Sequence, residues 1–390
     1  MNEKKLKIVA DAHIWGVESA FATLPGFDVD LHSLENQDIC QQTLIDADIL
    51  LTRSSTKVNS NLLAGTAVRF AATATIGDDH YDKKWLDANN IIWANAAGSS
   101  TGSVIEYMLT VLLEMHDRGL ISIPDTTIGI IGVGRIGKAL AAVCQAMGMN
   151  ILLNDPPRAR AEGSDGFCTL DQLLNQADLL TLHTPLIAEG EACTKHLLNA
   201  EKLNQFAGRG IINAARGSCV DNAALVQWLD DDSSRFAALD CWEREPDPDR
   251  SLFAHPGMAI ATPHIAGHSL DGKAANTQYI YHALCNYLHF DPVWEIQNHL
   301  PPSAMPHTIS AEGDSWQLLH SATGHLYPLA EDDESMKSWA DLSNSELPNA
   351  FTGYRRHYPA RRAWQHSPIH FSHADEQTLQ LAHAIGIKVV

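Results

Sequence analysis

Short apolar runs alternate along the chain with stretches whose apolar residues recur at helical spacing. Four runs, Leu6–Ala10, Asp48–Thr52, Phe70–Ile76 and Ile91–Ala94, read as buried parallel strands spaced for β–α units. A helical stretch over Val104–His116 follows, then the strand Thr127–Ile131 and a helix that opens at a glycine turn and runs to about Met147. Further strands are expected at Ile151–Asn154, Leu179–His183, Gly210–Asn213, Phe236–Asp240 and Ala259–Thr262. This rhythm predicts an α/β fold with two doubly wound parallel-sheet, Rossmann-like domains separated by a cleft.

A long helix is predicted from about Leu270 to Leu288, after which the composition changes. The proline-punctuated run Leu300–Pro306 reads as a linker. Beyond it lies a His-, Trp- and Glu-rich segment that ends in a helix near Glu376–Ala384 and a strand-like Ile387–Val390. The expected division is residues 1–98 as a first domain completed by about 286–300, residues 99–285 as a second, and residues 301–390 as a small α+β domain. Crossings near Gly98 and Asn286 would act as hinges between the first two.

Composition narrows the class. With 390 residues and 45% hydrophobic content, the chain can build more than one core. A formal net charge of −20 disfavours nucleic acid and anionic membrane as partners. No run reaches the roughly 18 uninterrupted apolar residues of a membrane helix, and the start Met1–Lys5 lacks a secretory pattern. Seven scattered cysteines without a C-x-x-C pair fit reduced thiols in a cytoplasmic protein, with no disulfide framework and no metal site expected.

Gly132-Val133-Gly134-Arg135-Ile136-Gly137 follows an apolar run and opens a helix. In such a turn the first glycine permits the bend, the second lets backbone approach a pyrophosphate, and the third lets helix and sheet pack closely. Asp155 ends the next strand, where a carboxylate accepts from ribose hydroxyls and repels a 2′-phosphate. NAD rather than NADP follows, with Arg158 the one nearby cation that argues otherwise.

Three strand ends carry candidate chemistry. His264 stands in Thr262-Pro263-His264-Ile265-Ala266-Gly267, bracketed by proline and glycine, and offers a proton acceptor. Arg216, in Asn213-Ala214-Ala215-Arg216-Gly217, offers a planar fork for a carboxylate. Glu243 and Glu245, before Pro246, are equal candidates for an acid that tunes the imidazole. Asp240 suits either a nicotinamide amide or a helix cap, and His183, before Thr184 and Pro185, suits a structural role as well as a functional one. A proton acceptor, an anion clamp and a tuning carboxylate are what oxidation of a hydroxy acid requires.

In this order, these segments resemble the D-isomer-specific 2-hydroxyacid dehydrogenase family. Arg53–Val58, Ala72–Gly77, Asp79–Asp82, Asp155–Arg158 and His183–Leu186 match as well, almost end to end. Asp155-Pro156-Pro157-Arg158 and the extra C-terminal segment with Arg361-Arg362-Ala363-Trp364 point to one branch that acts on a phosphorylated hydroxy acid. The resemblance implies Arg216, Glu245 and His264 as the catalytic set, Glu245 being the acid of its pair. It implies substrate contacts at Ser54 and Thr75, and at His268 where the family commonly has tyrosine. Arg53, beside Ser54, is the candidate for the phosphate, and Arg355, Arg356, Arg361 and Arg362 form a second basic cluster. NAD contacts are implied at the glycine turn, including Arg135 and Ile136, and at Asp155, Thr184, Ala214, Ala215, Asp240 and Gly267. A homodimer through the C-terminal domain is implied too.

The chain departs from the family at Asp11-Ala12-His13-Ile14-Trp15, at Ser99-Ser100 in place of Cys-Asn, at Asp78 in place of threonine, and at His268. Three alternatives stay open: a sibling oxidoreductase acting on phosphoglycerate or a simple 2-hydroxy acid, a non-catalytic NADH-sensing regulator, and an anion-binding scaffold that assembles through its C-terminal domain and binds no NAD.

Overall fold

The computed structural model describes residues 4–390 and divides into two compact units. The first comprises the chain up to Ser100 together with Ser269–Pro302; the second comprises Thr101–His268 and Ser303–Val390.

The first unit is built on a five-stranded parallel sheet of order β2-β1-β3-β4-β5. Its strands are β1 (Lys4–Asp11), β2 (Phe27–Leu34), β3 (Ile49–Thr52), β4 (Phe70–Thr73) and β5 (Ile92–Asn95). β1, β3, β4 and β5 fall on the four expected runs. β2 does not, because as an edge strand it alternates: Phe27, Val29 and Leu31 pack on the core while Asp28 and Asp30 face water.

The helix Leu270–Leu288 runs over the predicted residues but packs in this first unit, not with the second sheet as its sequence position suggested. Its buried face of Ala274, Ile280, Tyr281, Leu284 and Cys285 joins Ile8, Phe21, Leu51 and Phe70 in one core. Tyr287 stacks on Phe70 at 5.0 Å. The return to the first unit therefore comes at Ser269, about a helix length before the expected crossing near Asn286.

The second unit has a six-stranded parallel sheet of order β11-β10-β9-β8-β6-β7. Its strands are β6 (Thr127–Ile131), β7 (Asn150–Asn154), β8 (Leu179–Leu182), β9 (Gly210–Asn213), β10 (Phe236–Leu239) and β11 (Met258–Ala261). The helix Thr101–Asp117 is buried along most of its length, which explains its near-continuous apolar sequence.

Residues 303–390 are not a compact unit of their own, contrary to the expected third domain. They do include a short parallel pair, β12 (His307–Ile309) with β13 (Ile369–Phe371), and the helices Ser315–Leu326, Leu329–Ser338, Leu347–Arg356 and Glu376–Ala384. The strand expected at Ile387–Val390 is reduced to one bridge between Val389 and Ile369. Leu318, Leu319 and Ala322 enter the core that contains Met108 and Leu112, and Met336, Leu347 and Phe351 enter the core that contains Trp228 and Trp242. The segment also covers the edge of β11: Asp333 accepts from Ala261 N at 2.7 Å, and Lys337 donates to Ala259 O at 3.2 Å. An edge strand whose N–H and C=O groups are satisfied this way offers no template for another chain.

A buried ion pair fastens the end of the segment. Arg361 donates through Nη1 to Glu106 Oε2, Trp364 N donates to Glu106 Oε1 at 2.8 Å, and the Arg361 guanidinium lies 4.3 Å from the Tyr327 ring. Glu106→Ala leaves that guanidinium buried without its counter-charge and should lower stability by about 3–5 kcal/mol. The double variant Glu106→Leu/Arg361→Met should recover part of the loss in urea unfolding.

Candidate active site

The loops leaving the carboxyl ends of β10 and β11 carry the acid and the imidazole. His264 Nδ1 lies 2.7 Å from Glu245 Oε2, and Glu245 Oε1 accepts from Trp242 N at 2.8 Å. With Nδ1 committed to the carboxylate, Nε2 is the nitrogen left to meet a substrate. Burial pushes the Glu245 carboxyl up, but the His264 charge and hydrogen bond, the Arg355 charge and the Trp242 N–H outweigh it, so the group sits below its ordinary range. The neighbouring acid is spent elsewhere: Glu243 Oε1 is 2.7 Å from His196 Nε2, and its Oε2 accepts from Asn222 N at 3.1 Å.

His264 has φ +55, a left-handed conformation that a histidine adopts only when its surroundings enforce it. Asp240 supplies much of that enforcement. Its Oδ1 accepts from Thr262 Oγ1 and Ile265 N, both at 2.7 Å, and its Oδ2 accepts from Ala266 N at 3.0 Å. Tyr107 Oη adds a 2.9 Å bond to Thr262 Oγ1, and the Trp242 indole donates to Thr262 O at 2.8 Å. Asp240 is thus a buried brace for the loop, and it caps no helix. Burial raises its carboxyl above the usual range.

The turn after β9 presents Arg216. Asn213 staples it, accepting from Ala215 N at 3.1 Å and donating to Arg216 O at 3.0 Å. Arg216 Nη1 donates to Ala215 O at 2.7 Å. A Cβ on Gly217 would fall 1.9 Å from the Trp242 carbonyl, so only glycine lets this turn lie against the strand exit that carries Glu245. Ala214 is half-buried and Ala215 buried in the same turn.

Cys241, which the sequence did not flag, lies among these groups. Its Sγ and ligand atoms of Glu245 and His264 fall within 4.8 Å of one another. Burial pushes the thiol far above its ordinary range; Asp240 and Glu245 add to this, and Arg216 and Arg355 oppose it. A thiol held protonated, donating to Ala215 O at 3.4 Å, is a poor metal ligand. The group reads as a proton-handling pair beside a neutral thiol, with the Arg216 charge acting on the same spot.

The glycine turn fits a dinucleotide. Gly132 has φ +88, a Cβ on Gly137 would meet Gly132 O at 2.1 Å, and Gly134 is exposed with open space where a Cβ would point. Gly134 also caps the Arg135–Ala146 helix without a side-chain bond, leaving the first amides to an anion. Arg135 is exposed there and Ile136 half-buried. Asp155 braces the turn, its Oδ2 accepting from Val133 N at 2.8 Å and its Oδ1 from Arg158 N at 3.1 Å. Arg158 grips Glu162 through Nε and Nη2 at 2.7 and 2.6 Å and donates to Val133 O at 2.6 Å. A guanidinium so engaged is not arranged for a 2′-phosphate.

Around this turn, Thr184 Oγ1 is 3.5 Å from Cys219 Sγ, and His183 Nε2 is 2.9 Å from Thr181 Oγ1. Gly267 follows the pinned loop, and the His268 ring meets Tyr358 edge-on at 5.9 Å. The basic C-terminal residues have different fates. Arg361 is buried on Glu106, Arg355 Nε donates to His264 O at 3.2 Å, and Arg356 is exposed.

In the first unit, Arg53 and Ser54 follow β3, Ser54 being exposed. Thr75, after β4, is bonded to Thr73 Oγ1 and Gly77 O, each at 2.8 Å. Lys273, absent from the sequence expectations, is held below its ordinary range by burial and by the Arg53 charge, so two cations stand near each other. No sequence motif marks it, because only the fold brings residues 53 and 273 together. Two departures have structural partners: Asp78 pairs with Lys83 and Asn95, each at 2.8 Å, and Ser99 Oγ bonds Ala96 O at 2.6 Å and Asn276 at 2.5 Å.

Comparison with known proteins gives the family and the fold. The family model for the D-isomer specific 2-hydroxyacid dehydrogenase NAD binding domain matches residues 113–266. The erythronate-4-phosphate dehydrogenase of Proteus mirabilis is 37% identical over 98% of this chain and 98% of its own, and that of Pseudomonas syringae pv. syringae is 37% identical over 99% and 100%. Among solved structures, an Aquifex aeolicus D-lactate dehydrogenase complexed with NAD and lactic acid superposes with a TM-score of 0.59 at 20% identity, covering 72% of this chain and 95% of that one. A cofactor-bound 3-phosphoglycerate dehydrogenase of Entamoeba histolytica superposes at 0.61, with 20% identity over 73% and 96%. These two share the fold.

Burial pushes the His183 imidazole down to about 4. Below its unfolded value of 6.5 the unfolded chain binds a proton that the folded chain refuses, so stability is lost as pH falls from 6.5 towards 4. The loss from this group should be roughly 3 kcal/mol. His183→Gln should flatten that part of the stability–pH curve in denaturant titrations.

Proposed function

Because the chain belongs to the erythronate-4-phosphate dehydrogenase family of the D-isomer-specific 2-hydroxyacid dehydrogenases, we propose that it oxidises 4-phospho-D-erythronate to (R)-3-hydroxy-2-oxo-4-phosphooxybutanoate with NAD as acceptor. This is an oxidation of pyridoxal 5′-phosphate (vitamin B6) biosynthesis. The observation that carries the reading is the Glu245–His264 pair at 2.7 Å, set beside the Arg216 turn at the carboxyl ends of β9, β10 and β11.

The glycine turn, Asp155 and Thr184 are the residues proposed to hold the dinucleotide, with Ala214, Ala215, Asp240 and Gly267 nearer the reacting end. Bound there, NAD supplies the hydride acceptor. His264 Nε2 takes the proton of the C2 hydroxyl as the C–H bond breaks, and returns it in the reverse reduction. Such a placed acid–base is worth about 10²–10⁴ in rate. Glu245 fixes the tautomer that leaves Nε2 unprotonated and favours the imidazolium as it forms. Arg216 grips the C1 carboxylate and polarises the C2 oxygen as it gains carbonyl character. Ser54 and Thr75 are assigned to substrate hydroxyl and carboxylate oxygens, and Arg53 with Lys273 to the phosphate. The pairing of two cations in a chain of net charge −20 supports that last assignment. His268, held edge-on by Tyr358, is assigned a substrate contact.

The cytoplasm is the proposed compartment. All seven cysteines are free, and no helix among the described residues is long and apolar enough to cross a membrane. A homodimer through residues 303–390 completes the proposal; sedimentation velocity should give twice the mass of the 42.6 kDa chain, and a monomer at micromolar concentration would remove it.

The direct test is NADH formation, followed by its ultraviolet absorbance, by the purified protein supplied with NAD and no other hydride acceptor. Turnover should occur with 4-phospho-D-erythronate and fall by at least about 10²-fold with 3-phosphoglycerate or D-lactate. His264→Ala should lose on the order of 10²–10⁴-fold in kcat, and Arg216→Lys should fail too, because an ammonium cannot reproduce the fork. Near-normal turnover of His264→Ala would sink the assignment.

A further inference from the structure

The C-terminal segment reaches the catalytic loop at one point. Arg355, in the last turn of the Leu347–Arg356 helix, donates from Nε to the backbone carbonyl of His264 at 3.2 Å. We propose that Arg355 is a positioning residue for the reaction: it fastens the strained His264 backbone and lays a fixed positive charge beside the Glu245–His264 pair.

Three observations support the role. First, the carbonyl it holds belongs to a residue at φ +55, where the backbone relaxes unless it is tied down. Asp240 ties the N–H groups on the far side of His264, at Ile265 and Ala266, and Arg355 ties the carbonyl of His264 itself. Second, the guanidinium is carried on a fixed element. Leu347 and Phe351 are fully buried in the core that contains Trp242, the Arg355 guanidinium lies 5.8 Å from the Phe351 ring, and the adjacent Tyr354 donates to Asp332 at 2.6 Å. Third, its charge acts on the pair, since Arg355 is among the groups that hold the Glu245 carboxyl low.

Asp240 also faces the pair through His264 and Cys241 through Glu245, and the Arg216 charge acts on the Cys241 thiol. Arg355 favours the charged form of the Glu245 carboxyl and so opposes a further proton on the pair. A cation beside the pair lowers its affinity for a proton, and its removal raises that affinity. His264 must be neutral to accept the hydroxyl proton, so removing Arg355 should move the acid limb of oxidation to higher pH.

The inference rests on the assignment of His264 as proton acceptor and is tested on the full-length protein by two separate readouts. The first is kinetics with 4-phospho-D-erythronate and NAD across pH. Arg355→Met should lower kcat by about 10- to 10²-fold, the penalty of a misplaced reacting group. It should leave both KM values within about threefold and shift the acid limb up by roughly half a unit to one unit. Arg355→Lys keeps the charge but not the donor geometry, so it should restore the limb and leave kcat low. The second readout is the NMR titration of the His264 ring without ligands, identified by difference from His264→Asn. It should move up in the Met variant and return in the Lys variant.

A Met variant with wild-type kcat and limb overturns the proposal. So does one whose KM for phosphoerythronate rises while kcat holds, which would make Arg355 a substrate contact. Should the Met variant fail to fold, the Lys variant decides: reduced kcat with an unmoved His264 titration supports the proposal, and wild-type kcat overturns it. If the wild-type protein does not oxidise phosphoerythronate, the substrate assignment falls, and the ring titration alone still decides Arg355.

Discussion

The hydrogen bond between His264 Nδ1 and Glu245 Oε2 is the constraint around which the second unit is arranged. It selects one tautomer, and it demands that two loops from different strands meet to within hydrogen-bond length. Each loop pays for that meeting in backbone conformation, Arg244 and His264 both lying at positive φ. The compensation is a set of buried acceptors and donors, with Asp240 at its centre, that satisfies the loop amides at fixed positions. A buried carboxylate accepting several hydrogen bonds is rigid in a way that a solvated one is not. That rigidity lets an imidazole be aimed.

The same logic explains the neighbouring turns. Gly217 lets the arginine turn lie flush on the strand exit that carries the glutamate, and Asn213 holds its curvature from both sides. Gly137 and Gly132 set the dinucleotide turn through close backbone approach, and Asp155 braces it through Val133 N. Asp155 and Asp240 are therefore proposed to serve twice, as structural acceptors in the described geometry and as cofactor contacts. Both lie at the carboxyl ends of strands, where an acid meets both the loops and any ligand.

The C-terminal segment gives this chain more than the shared fold. Its helices seal the β11 edge through Asp333 and Lys337, bury Phe351 beside Trp242, and fix Arg361 on Glu106. It is part of the second unit's core, so its packing bears on the loop that carries His264.

Continuous apolar runs made ten of the eleven strands in the two large sheets legible, most of them because a strand buried on both faces has no polar alternation to hide it. β2 escaped because it alternates. The glycine turn and the residue types of the proposed catalytic set were legible locally too, since turn geometry and proton chemistry are properties of a few adjacent residues. Which glutamate meets His264 was not local: Glu243 and Glu245 look alike until the fold turns one towards His196 and the other towards the imidazole. Neither the assignment of the Leu270–Leu288 helix to the first sheet, nor the nearness of Lys273 to Arg53, nor the reach of Arg355 to His264 is written in any segment. Each is a contact between residues far apart in the chain, and only side-chain packing in three dimensions decides which of many compatible surfaces meet.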